Sequence, residues 1–341
     1  MLSGNNLKGI VGMAVIGVLS VFVVFSSTTS AFNSFTVSSE KPEAIQELST
    51  NAGTKLFVEN NKIMRSYGVN SDANGTKAVV MNKTNDKLSI VDNKGMVLDD
   101  LADLHKKMEE VRVNKENEKH VGNVIGAGHL LDNTLFFASN YDSKDWKNSI
   151  WSMDLESRDV KKILSAEQYG NLSFISVSDD RILLESDKEI SKATLVLEIS
   201  QNGAVTEHII PGLVIKASPN GANITYRVYE DEGLLANKLG IYSVIENKSQ
   251  QIEGIPDNHL FNNYGAWNNS GTKYAFLSIY LENTQERHIL MVYDLTEESL
   301  IQINEPKNGT FQAGQDNLLF ENDSVIKVPL VNNQFVSVSL H

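Results

Sequence analysis

The sequence contains no cysteine. That absence removes disulfide cross-links, thiolate zinc sites, cysteine nucleophiles and a lipid-modified N-terminal cysteine together. Histidine is sparse and dispersed: His105, His120, His129, His208, His259, His288 and His341 form no pair at helical or short metal-ligand spacing, so no zinc site is expected. Also missing are a G-x-S-x-G elbow, an H-E-x-x-H helix, a Walker loop and a dinucleotide fingerprint. With them go the familiar routes to serine hydrolysis, metalloproteolysis and nucleotide cofactor chemistry, and no cofactor is expected. Positive charge is in deficit, with 30 Lys and Arg against 43 Asp and Glu and a net charge of -13. Such a surface is repelled by nucleic-acid phosphates and anionic headgroups, which argues against a nucleic-acid partner.

What is present begins with an apolar run. Ile10 to Phe25 is uncharged over sixteen residues, follows Lys8 and has no polar face. A buried core helix would keep one, so the segment reads as an export signal or a membrane anchor, with Lys8 on the cytoplasmic side. Thr29-Ser30-Ala31 is a small-residue cleavage site, which favours a signal peptide; the length of the run suits an anchor as well. Residues 1–31 are therefore a signal peptide or anchor, and the body is expected outside the cytoplasm. Residues 32–54, rich in Ser, Thr, Glu and Lys, have the profile of a tether. The remainder, residues 55–341, belongs to a chain 41% hydrophobic and 21% charged, which is globular composition.

In that body short alternating apolar runs are separated by Asn, Asp, Gly and Ser clusters, the mark of an all-β fold. One unit recurs: a turn, a short strand, a variable loop and a second apolar strand with an acidic end. Its clearest copies are Trp267 to Phe276 followed by Leu290 to Leu295, and Ala217 to Tyr226 followed by Ile241 to Glu246. With Gly75, Asn133, Asp180, Gly221, Gly271 and Asn317 as anchors, the steps are 58, 47, 41, 50 and 46 residues. Those are propeller-blade spacings.

Trp267-x-x-x-Gly271-x-Lys273-x-Ala275-Phe276, with a following strand that ends in Asp294-Leu295, resembles the TolB-type repeats of bacterial six-bladed β-propellers. The resemblance implies a propeller over about residues 65 to 340, with six blades favoured and five or seven compatible. It implies a scaffold and does not indicate an activity, because this fold carries binding proteins and enzymes alike.

The longest step holds Leu98, Leu101, Leu104, His105, Met108 and Val111 at spacings of three and four. A helix is predicted over Asp99 to Arg112, inserted in the first blade, with Asp99, Asp100 and Asp103 near its start and Lys106 and Lys107 further on. Its expected role is to pack on the propeller; a partner-binding helix is the sharper alternative. Lys115 to His120 reads as a solvated loop. Asn70 to Gly75 imitates the opening of a calcium loop, but Met81 stands where the bidentate Glu belongs, so a blade turn is expected.

Candidate acids for glycoside cleavage are Asp179, Asp180, Glu230, Asp231 and Glu232, all in turn-like contexts. An arginine clamp for a substrate carboxylate would draw on Arg65, Arg112, Arg158, Arg181, Arg227 and Arg287, none of them in a matching motif. Trp267 could line a sugar or peptide groove but reads as core. The sequence thus points to an extracytoplasmic propeller that binds a protein or envelope component without catalysis, touching the membrane through its N-terminal segment only. A carboxylate-dependent hydrolase or lyase acting on cell-surface polysaccharide is the alternative, and a spacer subunit of an envelope complex a third.

Overall fold

The structure, a computed structural model, describes residues 35–36 and 46–340, apart from 51–53, 60, 64–68, 73–74, 83–86, 112–124, 142, 144, 179, 202, 230–234, 308, 313–317 and 332–333. Ile10 to Phe25, Ala31 and the Lys115 to His120 loop lie outside the described residues. No helix among those described is long and apolar enough to cross a membrane.

Among the described residues, twenty-seven strands make seven antiparallel sheets arranged as the blades of a propeller. After β1 (Phe35–Thr36), the first blade has three strands: β2 (Gln46–Ser49), β3 (Lys55–Glu59) and β4 (Lys62–Ile63). The second holds β5 (Val69–Ser71), β6 (Lys77–Asn82), β7 (Lys87–Asp92) and β8 (Val97–Asp99), followed by helix α1 (Leu104–Val111). The third is β9 (Ile125–Leu131), β10 (Thr134–Ser139), β11 (Ser149–Asp154) and β12 (Val160–Leu164), then the single turn α2 (Ala166–Tyr169). The fourth is β13 (Leu172–Val177), β14 (Arg181–Ile190), β15 (Ala193–Ser200) and β16 (Val205–Ile210). In the fifth are β17 (Gly212–Ala217), β18 (Asn223–Tyr229), β19 (Leu235–Ser243) and β20 (Lys248–Gln251). The sixth has β21 (Leu260–Trp267), β22 (Lys273–Glu282), β23 (Gln285–Asp294) and β24 (Ser299–Asn304). The seventh joins β25 (Leu319–Asn322), β26 (Val325–Pro329) and β27 (Phe335–Ser339) to β1, with Phe35 opposite Val338 and Thr36 opposite Ser337.

Seven blades correct the expected six. Five of the six anchors read from sequence fall in blades two to six, one in each, Asn317 lies outside the described residues, and the first blade is the one missed. Its hairpin pairs Glu59 with Lys62 and has no glycine between them in the sequence, and β2 starts inside the 32–54 stretch whose composition suggests a tether.

Both faces of a blade are covered by neighbours, so its middle strands read as continuous apolar runs with a hidden period of two. Along β22, Tyr274 and Phe276 pack toward the fifth blade with Leu239 and Ile241. Ala275 and Leu277 pack the other way, with Ile326 and Val328 of the seventh. Each such side chain contributes roughly 1.5–3 kcal/mol of burial, and clusters of this kind fill the seams from the first blade round to the seventh.

The repeat's turn has its own physical logic. In blades two, five and six the glycine N–H bonds back to the residue heading the turn, Gly75 to Asp72 O at 3.1 Å, Gly221 to Ser218 O at 2.9 Å and Gly271 to Asn268 O at 3.0 Å. The heading side chain caps the amides beyond, as Asp72 Oδ1 does for Thr76 N at 2.8 Å and Asn268 Oδ1 for Thr272 N at 2.8 Å. Asp72 is thus committed to its turn, in keeping with the blade-turn reading of Asn70 to Gly75. The glycines sit at φ +69°, +65° and +70° and lie against the preceding blade, where an added Cβ would come within 2.6 Å of Asn220 Oδ1 in the case of Gly271.

Helix α1 is shorter than the predicted Asp99 to Arg112, and it follows the second blade. Asp99 ends β8 and its carboxylate accepts from Leu101 N at 2.8 Å, while Asp100 accepts from Ala102 N at 3.1 Å. These local bonds hold the chain out of helix until Leu104, with Leu101 at φ +47°. Leu101, Leu104 and Met108 enter the core between blades two and three, whereas Leu98 and Val111 stay exposed. Arg158 clamps the approach through Asp99 and Asp103, and Tyr141 donates to Glu109.

Candidate binding cavity

The first strands of successive blades stand side by side, β5 next to β9, β9 next to β13, and so on through β17, β21 and β25. They form the wall of the central channel. On the side of blades two, three and four this wall opens into a cavity of about 440 Å³. Asn70, His129, Asn148, Ser173, Phe174 and Ser176 supply its character, and β13 borders it along its whole length.

Each side chain is positioned by a local device. Gly128 leaves room for Leu88 and Val79, which an added Cβ would meet at 2.9 Å, and its carbonyl accepts from Asn70 Nδ2 at 3.0 Å. His129 then turns its ring onto Phe174, with centroids 4.5 Å apart and planes at 47°. The lead into β13 is set by α2, whose Ser165 cap accepts from Glu167 N at 3.2 Å and whose Gly170 at φ +75° reverses the chain. Asn171 Oδ1 accepts from Asn148 N at 2.8 Å, and Leu172 N donates to Asn148 O at 3.1 Å. Among the described residues the lining can hydrogen-bond and stack, and it has no carboxylate, lysine or arginine; the imidazole of His129 is its one ionisable group.

The residues singled out from sequence lie elsewhere. Asp179, Glu230, Asp231, Glu232, Arg65 and Arg112 fall outside the described residues. Asp180 is gripped by Arg181 at 2.8 Å, which holds its carboxyl below the usual range. Arg181 also reaches Glu198 at 3.3 Å, and Glu198 meets buried His208 at 3.0 Å. On its other nitrogen His208 meets the Tyr242 hydroxyl at 3.0 Å, a group pushed up by burial and then by Glu198. With His208 only 3% exposed, this network is a polar bolt between blades four and five. Arg158 serves α1, Arg227 lies over the Phe261 ring at 5.3 Å, and Arg287 pairs with Glu282 at 3.1 Å, so the described arginines, with Arg181, do not converge. Trp267 is core, its Nε1 donating to Lys216 O at 3.3 Å.

A serine–histidine contact exists in the sixth blade, Ser278 Oγ to His259 Nδ1 at 3.2 Å. Ser278 is 0% exposed and His259 lies flat on Tyr280 at 4.7 Å, so the pair is closed to substrate, and burial lowers the His259 pKa. Sequence reasoning missed His129, Asn148 and Phe174. The available signal was the pair of serines, Ser173 and Ser176, that interrupts an otherwise apolar strand.

No protein-family model matches the sequence, and comparison with curated proteins finds no match. Among solved structures, similarity extends to TolB from Acinetobacter baumannii, at 11% identity and TM-score 0.36 over 76% of this chain and 62% of that one. It extends also to oligogalacturonate lyase from Vibrio parahaemolyticus, at 10% identity and TM-score 0.49 over 86% and 83%. Dipeptidyl peptidase 4 from Porphyromonas gingivalis gives TM-score 0.53 at 10% identity, over 80% of this chain and 45% of that one. The chain therefore spans less than two thirds of the length of the TolB and of the peptidase. At such identities the likeness is one of fold alone, a seven-bladed β-propeller in this chain, and the ligand must be argued from the cavity.

Proposed function

We propose that this chain is a non-catalytic, extracytoplasmic binding protein that takes a protein or cell-envelope component on the channel side of its propeller. The observation that carries the reading is the cavity beside β13, with hydrogen-bonding side chains and the His129–Phe174 ring pair on its wall. Ile10 to Phe25 supports the address, whether retained as an anchor or removed after Ala31. The alternative, a hydrolase or lyase acting on polysaccharide, needs two carboxylates facing one opening, and none is among the described residues of the cavity lining.

The test is a photo-cross-linking amino acid at Ser173 of the full chain, expressed in its own envelope. A discrete protein adduct at Ser173, lacking when the probe is moved to exposed Lys248 on β20, is the expected result. Equal labelling at both positions, or release of sugar products by the purified chain, overturns the reading. N-terminal sequencing of the mature protein distinguishes cleavage at Ala31 from an intact anchor.

A further inference from the structure

We infer that the partner enters this cavity as an extended segment that pairs with the edge of β13 at Phe174, an inference that rests on the protein-binding reading above. The ladder fixes which backbone groups are available. Ser173 lies opposite Glu185 and Phe174 opposite Leu184 in the β13–β14 pairing. Asp187 N donates to Asn171 O, whereas Leu172 N donates away from β14, to Asn148 O. Bonded and non-bonded pairs alternate in an antiparallel ladder, so Asn171 and Ser173 face β14 while Leu172 and Phe174 turn their N–H and C=O outward. At Phe174 the outward side is the cavity.

The neighbouring inner strands are already engaged there. On β9 the Gly128 carbonyl takes Asn70, and on β17 the Lys216 carbonyl takes Trp267. Among the described residues, the N–H and C=O of Phe174 have no such partner. A strand edge with an open donor and acceptor is a template for another chain. β13 has six residues, about 20 Å at ~3.3 Å per residue, and the shift in register between Phe174 and Ser176 limits straight pairing to its first half. With no carboxylate, lysine or arginine among its described residues, the lining favours uncharged side chains, since an ionised one would be desolvated without a carboxylate, lysine or arginine to pair with. The occupant is thus a short extended polypeptide segment with small or aromatic neutral residues, one of them against the His129–Phe174 pair.

The probe is a displayed library of uncharged octapeptides, selected on the full chain and counter-selected on Ser173→Trp, which fills the cavity. Enriched peptides are then resynthesised with one backbone amide methylated at a time. Methylation is expected to weaken binding at least tenfold at the one position whose amide meets the Phe174 carbonyl and to spare its neighbours. On the protein side, Phe174→Ala and Phe174→Pro both remove the ring, but only proline removes the outward N–H, which an edge strand tolerates. The proline variant should bind at least tenfold more weakly than the alanine variant, with unchanged circular dichroism. A flat methylation scan, equal binding by the two variants, no peptide surviving counter-selection, or capture of a neutral oligosaccharide instead overturns the proposal. If Ser173 still cross-links a protein while the methylation scan is flat, strand addition fails and protein binding stands; no adduct at Ser173 removes both.

Discussion

The carboxamide of Asn220 occupies the space that a β-carbon on Gly271 would need, with Oδ1 at 2.6 Å from that position. The same carboxamide donates to Ser270 O at 2.9 Å, so the turn of the fifth blade is bonded to the turn of the sixth. Gly271→Ala should therefore cost more than its positive φ alone, about 3 kcal/mol against roughly 1 for the backbone. Gly203→Ala is the control, because Gly203 has φ +80° with nothing within 4 Å of its added Cβ. Urea denaturation of the two variants reads the difference; equal losses would mean that the neighbouring blade is irrelevant.

Acid should release α1 before it unfolds the blades. Hydrogen bonding from Arg158 holds the Asp103 carboxyl below its ordinary value. A carboxyl depressed in the fold contributes stability above its unfolded pKa and loses it as pH falls through the folded one. Amide exchange in α1 should thus rise below about pH 4, ahead of exchange in β22 and β23. Arg158→Ala should produce the same local opening at pH 7, at a cost of about 1–2 kcal/mol.

Glu185 has the opposite sign. Burial alone raises its pKa, so ionisation penalises the fold, and the penalty grows as pH rises from the unfolded pKa through the folded one. Glu185→Gln should stabilise the protein at pH 7 and lose that advantage at pH 3.5. Thermal melts at the two values decide it; a gain independent of pH would assign the effect to packing instead.

Closure of the ring can be locked covalently, since the chain has no cysteine to interfere. Thr36 and Ser337 are directly opposed, and opposed strand residues stand about 4.5–5.5 Å apart, within disulfide range. The double variant Thr36→Cys, Ser337→Cys should gain about 2–4 kcal/mol when oxidised, and dithiothreitol should remove the gain. Failure to cross-link under oxidant would contradict the β1–β27 pairing.

Six blades were legible because their turns must be small and must abut a neighbour, a demand that writes Asn, Asp, Ser and Gly into the sequence at Asp72, Ser218, Asn268 and the glycines after them. The first blade has no glycine between Glu59 and Lys62, and its strands are short. Strand β1 was invisible for another reason: its partner lies at Val338, and two residues without a nearby partner carry no periodicity. The cavity was hidden because Asn70, His129 and Phe174 come from three blades, and no local pattern reports that a channel will unite them. The acidic turns attracted attention as candidate catalysts, yet Asp180 is spent on Arg181. What charge density suggested as chemistry is, at that position, a clamp between neighbours.

Strand β1, which completes the seventh blade, precedes every other described strand, and β27, which receives it, follows them all. Until residue 339 has been made, Phe35 and Thr36 have no ladder to join, and the first blade has no closed circle to belong to. Folding of the propeller therefore ends with a capture between Phe35 and Val338, a non-local step that is slow in proportion to its reach. A lesion in β27 should consequently leave most blades able to form and the circle unable to close.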